Sequence, residues 1–239
     1  PHDDRRVVFV LPFERRFSLI GTTDTPIDSP DSEHAVDEAE IEYLLRAVAP
    51  YVKQVPGTDD VVWSFAGTRP LKNTGDSDPS AVSRDYALEL SRRDEAVMLT
   101  VIGGKVTTAR KLAETVLERV GPFVPSMGQP WTASARLPGG DITDTEAFHH
   151  NLHARYPYLP RPLLDDLADR HGVLCNDILE GCSTLKDLGK DFGGGLTERE
   201  VAWLQDNEWA QTAEDILWRR TKCGLHMSPE QRDRFASYM

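Results

Sequence analysis

Eleven residues at 121–131, GPFVPSMGQPW, carry three prolines and two glycines. Proline donates no backbone hydrogen bond and glycine has no side chain to pack, so regular structure does not run through such a stretch. It divides the chain, and the two sides differ in character. We expect a mixed α+β part over residues 1–125 and an α-helical domain over 126–239.

Before the break, VVFVLPF and RFSLIGTT are β-rich runs joined by a turn around Glu14 to Arg16, the pattern of an antiparallel hairpin. DEAEIEYLLRAVAPYV repeats Ile41, Leu44, Leu45 and Val48 at helical spacing behind an Asp37/Glu40 capping box. VVWSFAG reads as a strand. DYALELS alternates and turns through RRDE into AVMLTVI. A helix is expected over Thr107 to Val120, with Leu112, Val116, Leu117 and Val120 on one stripe and Gly121-Pro122 as its stop.

After the break the signals are helical. Thr197 with Glu200, Thr212 with Asp215, and Ser228 with Pro229 and Gln231 mark three helix starts within about forty residues. The Thr212 helix is expected to run to Gly224, and Trp203, Trp209 and Trp218 to form the core.

The formal net charge of −12 and pI near 5.0 exclude the broad basic face that a nucleic-acid binder needs. The longest apolar run, VMLTVIGG, is too short to span a bilayer. Cys175, Cys182 and Cys223 fit no metal-binding or redox spacing and are expected as free thiols of a cytoplasmic protein. The chain opens PHDDRR without a methionine, and we expect it to be cut from a longer protein.

Three stretches carry candidate chemistry. In GGKVTTARKL, Gly103 and Gly104 follow an apolar strand and precede a helix start beside Lys105, Arg110 and Lys111. Cations are disfavoured at the positive end of a helix unless an anion or electron-rich ring sits there. A plain tight turn with solvated basic residues is the alternative, and spacing alone favours it. Arg69 and Arg84 sit at strand ends, where a guanidinium fork suits phosphate or carboxylate; pairing of Arg84 with a neighbouring aspartate is the alternative. His149 and His153 lie one helical turn apart, but no carboxylate or cysteine completes a set at convincing spacing. No metal is expected.

Taken in order, VVFVLPFE, FSLIGTTDT, GTRPL, SRDYALEL, IGGKVTTARKLAE, FGGGLTEREVAWL and EWAQTAEDILWRRTKCGL resemble the C-terminal part of the FAD-dependent glycerol-3-phosphate dehydrogenases. The last segment is the most specific, because simpler amino-acid oxidases share the glycine-pair element but not the helical tail. The resemblance implies an enzyme oxidising sn-glycerol 3-phosphate to dihydroxyacetone phosphate, with electrons passed through FAD to a membrane quinone. It implies that this chain is part of an antiparallel-sheet substrate domain with the closing helix of the flavin domain, followed by an all-α C-terminal domain. By the same resemblance Arg69 and Arg84 hold the substrate phosphate, and Lys105 is the catalytic residue near flavin and substrate. Gly103, Gly104, Lys105, Val106, Thr107 and Thr108 contact the pyrimidine edge of FAD. Work at the inner face of the membrane is an expectation for the whole enzyme only, and a homodimer is one expected assembly.

The chain departs from the family in having no Gly-x-Gly-x-x-Gly strand–turn–helix for the FAD pyrophosphate, so it is expected to be inactive alone. Two other readings stay open: a glycerol-3-phosphate oxidase, with oxygen as acceptor, and a non-catalytic helical dimerisation or interaction module.

Overall fold

A computed structural model describes residues 7–27, 29, 35–69, 85–94, 96–124 and 126–239. The chain divides into two units, residues 1–135 and 136–239. Both mix helices with small antiparallel sheets, which makes the fold α+β.

In the first unit, β1 (Phe9–Phe13) pairs antiparallel with β2 (Phe17–Gly21), in register from Phe9 opposite Gly21 to Phe13 opposite Phe17. Glu14 and Arg15 make the reversal in the left-handed region, with φ of 45° and 60°. α1 (Glu38–Val48) starts on the expected capping box: Asp37 accepts from the Glu40 N–H at 2.7 Å, and Glu40 accepts from the Asp37 N–H at 3.4 Å. β3 (Ala87–Arg93) and β4 (Ala96–Ile102) form a second hairpin, in register from Ala87 opposite Ile102 to Arg93 opposite Ala96. α2 (Ala109–Val120) follows, entered through a single 3₁₀ turn over Val106–Thr108.

The VVWSFAG segment is not a strand. A strand exists by exchanging backbone hydrogen bonds with a neighbour, and no described strand lies beside it. Val62 and Phe65 stay exposed, while Trp63 and Phe65 stack with centroids 4.7 Å apart.

Little in this unit is buried. Among its described residues only Ala47 and Val48 are fully buried hydrophobics. Phe9, Val10 and Leu11 are each about half exposed, so both faces of β1 are open, and Met98 of β4 is 63% exposed. α2 buries none of its stripe, and Leu117 is exposed. A two-stranded hairpin needs a third strand or a packed helix for independent stability.

The second unit has the core. One cluster gathers Leu152 and Tyr156 of α3 (Thr145–Arg155) and its end, Leu164 and Leu167 of α4 (Arg161–His171), and Cys175 and Ile178 of the short α5 (Cys175–Ile178). A second gathers Val201 and Leu204 of α6 (Glu198–Asn207), Ile216, Leu217 and Phe235 of α7 (Pro229–Tyr238). Trp203 packs against both. Trp218 is partly buried against the second, whereas Trp209 is 84% exposed and left-handed at φ 55°, a loop residue rather than core.

This unit is not purely helical. β5 (Asp191–Gly193) and β6 (Leu196–Thr197) form a small hairpin, reversed by Gly193, Gly194 and Gly195 at φ of 96°, 60° and 78°. A Cβ on Gly194 would lie 2.7 Å from the Cys223 carbonyl oxygen, so only glycine fits there. Ser228 and Gln231 form the expected capping box of α7. The Thr212–Asp215 pair does start a helix, but Asp215–Arg220 widens into a π-turn and ends there rather than at Gly224. The Thr221 N–H and hydroxyl both donate to the Ile216 carbonyl, at 3.1 and 2.7 Å, and close the wide turn.

Thr197 caps α6, but Glu200 does not reach back to complete a capping box. Its side chain is fully buried instead. Arg170 Nε and Nη2 donate to its two oxygens at 2.8 Å each, and His171 Nε2 lies 2.7 Å from Oε1. Burial alone would raise the Glu200 pKa; Arg170 first and His171 second pull it below the usual carboxylate range. A depressed folded pKa contributes stability above the unfolded value, near 4.3, and loses it as pH falls through the folded pKa. We predict that Glu200→Ala, which strands the Arg170 guanidinium and leaves the His171 ring without its partner, costs about 3–5 kcal/mol by chemical denaturation at neutral pH. The parent chain is predicted to hold its unfolding midpoint from pH 7 to 5 and to lose it below about pH 4.

Candidate functional site

The candidate site is the connection from β4 to α2. Gly103 and Gly104 leave the strand at φ of 78° and 107°, and Lys105 returns to extended backbone before the 3₁₀ turn. A Cβ on Gly104 would stand 3.2 Å from Leu112 Cδ2 and 3.8 Å from Tyr86 Cβ, so this glycine brings strand and helix together. The turn closes on itself: the Thr108 N–H and hydroxyl both donate to the Lys105 carbonyl, at 3.0 and 3.1 Å.

Three backbone N–H groups, of Lys105, Val106 and Thr107, have no hydrogen-bond partner among the described residues. α2 has no side-chain cap and no acidic residue in its first turn. The Lys105 side chain is exposed and makes no ion pair among the described residues, and Val106 is 95% exposed. The result is an open patch of positive potential at a helix start.

The other two basic residues do not contribute as expected. Arg110 Nη1 bonds Glu114 Oε1 at 2.6 Å, and Lys111 Nζ lies 3.4 Å from Glu114 Oε2. Thr132 also donates to Glu114, at 2.7 Å, and is the main reason that its carboxyl is held below the usual range. Arg110 and Lys111 thus share one carboxylate one turn along the helix, at the spacing where helices normally pair charges.

Arg69 Nη1 bonds Asp24 Oδ2 at 2.8 Å, with both side chains more than a third exposed. Asp24 belongs to the GTTD segment at the end of β2. Its neighbours Thr23 and Thr25 donate to Glu40 of α1 at 2.6 and 3.1 Å, so the segment is fixed between α1 and Arg69. No short-range signal shows this pairing, because 45 residues separate Asp24 from Arg69. Arg84 lies outside the described residues. No hydrogen bond or ion pair joins Arg69 to the 103–108 turn among the described residues.

Residues 130–234 match the family described as the C-terminal domain of alpha-glycerophosphate oxidase, and residues 1–110 match the FAD-dependent oxidoreductases. The chain belongs to the FAD-dependent oxidoreductase family. It is 45% identical to the glycerol-3-phosphate dehydrogenase of Pseudomonas aeruginosa, over 100% of this chain and 47% of that protein. It is 44% identical to the D-erythritol 1-phosphate dehydrogenase of Brucella abortus, over 98% of this chain and 47% of that protein. It is 38% identical to the aerobic glycerol-3-phosphate dehydrogenase of Escherichia coli, over 100% of this chain and 48% of that protein. The chain spans about half the length of the curated relatives it matches.

For a member of the FAD-dependent oxidoreductase family, the 103–108 turn is chemically suited to a flavin edge. It offers a side-chain-free approach at two glycines, with three N–H donors and a lysine that have no partner among the described residues. The described residues contain no Gly-x-Gly-x-x-Gly turn for a pyrophosphate. No described helix is long and apolar enough to cross a membrane.

Gly104→Ala is predicted to destabilise the β4–α2 connection by about 1–3 kcal/mol, from strain at positive φ plus the Leu112 contact. Hydrogen exchange at the β4 and α2 amides reads this out: protection is expected to fall there and to stay unchanged in residues 136–239.

Proposed function

We propose that this chain is the C-terminal part of a flavoenzyme that oxidises sn-glycerol 3-phosphate to dihydroxyacetone phosphate and delivers electrons to a quinone. The observation that carries the reading is the 103–108 turn, whose three N–H groups and Lys105 side chain have no partner among the described residues, in a chain of this family. FAD, when bound, supplies the hydride acceptor. Gly103 and Gly104 admit the ring edge to the backbone. The N–H groups of Lys105, Val106 and Thr107 donate to it, with the Thr107 hydroxyl nearby, while the Thr108 hydroxyl holds the turn through the Lys105 carbonyl. Lys105, the catalytic residue of this reading, sets positive charge where negative charge develops during oxidation.

Arg69 and Arg84 anchor the substrate phosphate. The Arg69–Asp24 pair is exposed, and exposed pairs are worth roughly 0.2–1 kcal/mol, so a phosphate dianion displaces Asp24 at small cost. The sheets of residues 1–125 belong to the substrate domain, α2 closes the flavin domain, and residues 126–239 form the helical domain. The open faces of β1 and β4 support a first unit completed by further strands, and for that reason the chain alone does not turn over substrate.

A second reading has a specific support. The D-erythritol 1-phosphate dehydrogenase is as similar to this chain as the glycerol-3-phosphate dehydrogenases are, so the substrate is a terminal polyol phosphate whose chain length these residues leave open.

In the full-length enzyme, Arg69→Ala is predicted to lower kcat/KM for glycerol 3-phosphate by roughly tenfold to a hundredfold, the worth of one charge-assisted hydrogen bond, while FAD stays bound. Wild-type kinetics in that variant would remove Arg69 from the phosphate site. Turnover of erythritol 1-phosphate beside glycerol 3-phosphate, and oxygen uptake beside quinone reduction, separate substrate and acceptor. The 239-residue chain by itself is expected to purify colourless.

A further inference from the structure

His149 and His153 stand one turn apart on α3, and on sequence alone nothing completes them. The fold supplies the missing group from the next helix. Asp165 of α4 sends Oδ1 between the two rings, 2.9 Å from His149 Nδ1 and 2.8 Å from His153 Nε2. The three ligand atoms lie within 4.8 Å of one another. We propose that His149, His153 and Asp165 form a binding site for one divalent transition-metal ion of the zinc class, clasping α3 to α4.

The distances suit such an ion. Zinc binds imidazole nitrogen and carboxylate oxygen at about 2.0–2.2 Å, which sets neighbouring tetrahedral ligands roughly 3.3 Å apart. The present N···O separations need to open by only about half an ångström, within reach of small χ rotations. The metal takes the place of the proton that each ring now shares with Oδ1. Two imidazoles and a carboxylate fill three positions and leave the fourth to water. The donor set is too nitrogen-rich for calcium or magnesium and lacks the thiolates that select copper(I).

Two further features point the same way. Asp169, one turn beyond Asp165, has a carboxylate oxygen 3.9 Å from His149 Nε2, the nitrogen turned away from the shared oxygen. That is where a second carboxylate orients a ligating imidazole and raises its basicity. The ligands also stand on well-packed helices. Leu152, Leu164 and Leu167 beside them are fully buried, and Phe148 packs edge-on against His149. The side chains themselves are between a fifth and a third exposed, so an ion enters from solvent.

The buried thiols do not compete. Burial pushes Cys175 and Cys223 up to about 11, so neither is a thiolate at neutral pH.

The test titrates the metal-stripped full chain with zinc chloride against a chromogenic chelator, and with cobalt(II) by visible absorption. We expect one equivalent of zinc per chain and a cobalt spectrum without thiolate charge transfer. His149→Ala and Asp165→Asn are each expected to abolish binding, and Asp169→Asn to weaken it by roughly tenfold. Circular dichroism shows whether each variant is folded, and His153→Gln is a milder substitution if the alanine variant is not. The proposal falls if the parent chain binds no zinc, if the variants bind as the parent does, or if cobalt shows a thiolate band. A His–Asp–His clasp with no affinity for metal would be the reading left standing.

Discussion

One buried carboxylate sets the geometry of the C-terminal unit. Glu200 sits on α6 with no exposed surface, and its only charged partners among the described residues come from the end of α4. An unpaired charge in that environment would cost several kcal/mol, so α4 and α6 have one acceptable relation to each other. Arg170 extends the constraint by donating to the Gly195 carbonyl at 3.3 Å, which fixes the glycine hairpin to the same point. His171 meets Trp203 edge-on at 5.1 Å, and Trp203 touches both apolar clusters. The polar network and Trp203 therefore both join the two apolar clusters.

Among its described residues the first unit has no equivalent. Its two hairpins each satisfy one another's backbone groups, yet their apolar side chains largely face outward. The physical contrast is between a unit with two packed apolar clusters and one whose described apolar residues are largely exposed. The two units also differ in what they can do. Chemistry suited to an anionic ligand lies at the β4–α2 turn in the poorly packed unit, whereas the well-packed unit carries the His149–His153–Asp165 cluster.

What the sequence made legible was local. Capping boxes at Asp37 and Ser228, both hairpins of the first unit, and the strand–Gly–Gly–Lys–helix order each rest on residues within a few positions of one another. What it hid was long-range. Glu200 reads as a helix cap because Glu three residues after Thr usually is one; the guanidinium that draws it inward is 30 residues away. Trp209 reads as core because tryptophan is apolar, but a positive φ just past α6 turns it out. The VVWSFAG run has strand composition without a neighbouring strand. Asp165 could not be joined to the histidines because helical spacing predicts partners on the same helix, and this one comes from the next.

At the β4–α2 turn the count of basic residues and their pairing in the structure differ. Three basic residues near a helix start imply an anion only if nothing nearer neutralises them. Glu114 pairs with two of them, at i+4 and i+3, the spacing at which helices normally pair charges, and its single negative charge leaves one positive charge over. Lys105, which precedes the helix, makes no ion pair among the described residues. It is also the basic residue beside the unpartnered N–H groups, where its charge and the helix dipole add. Backbone N–H groups at a fixed turn keep their direction whatever the side chains do, so an acceptor that replaces their water meets donors already aimed at it.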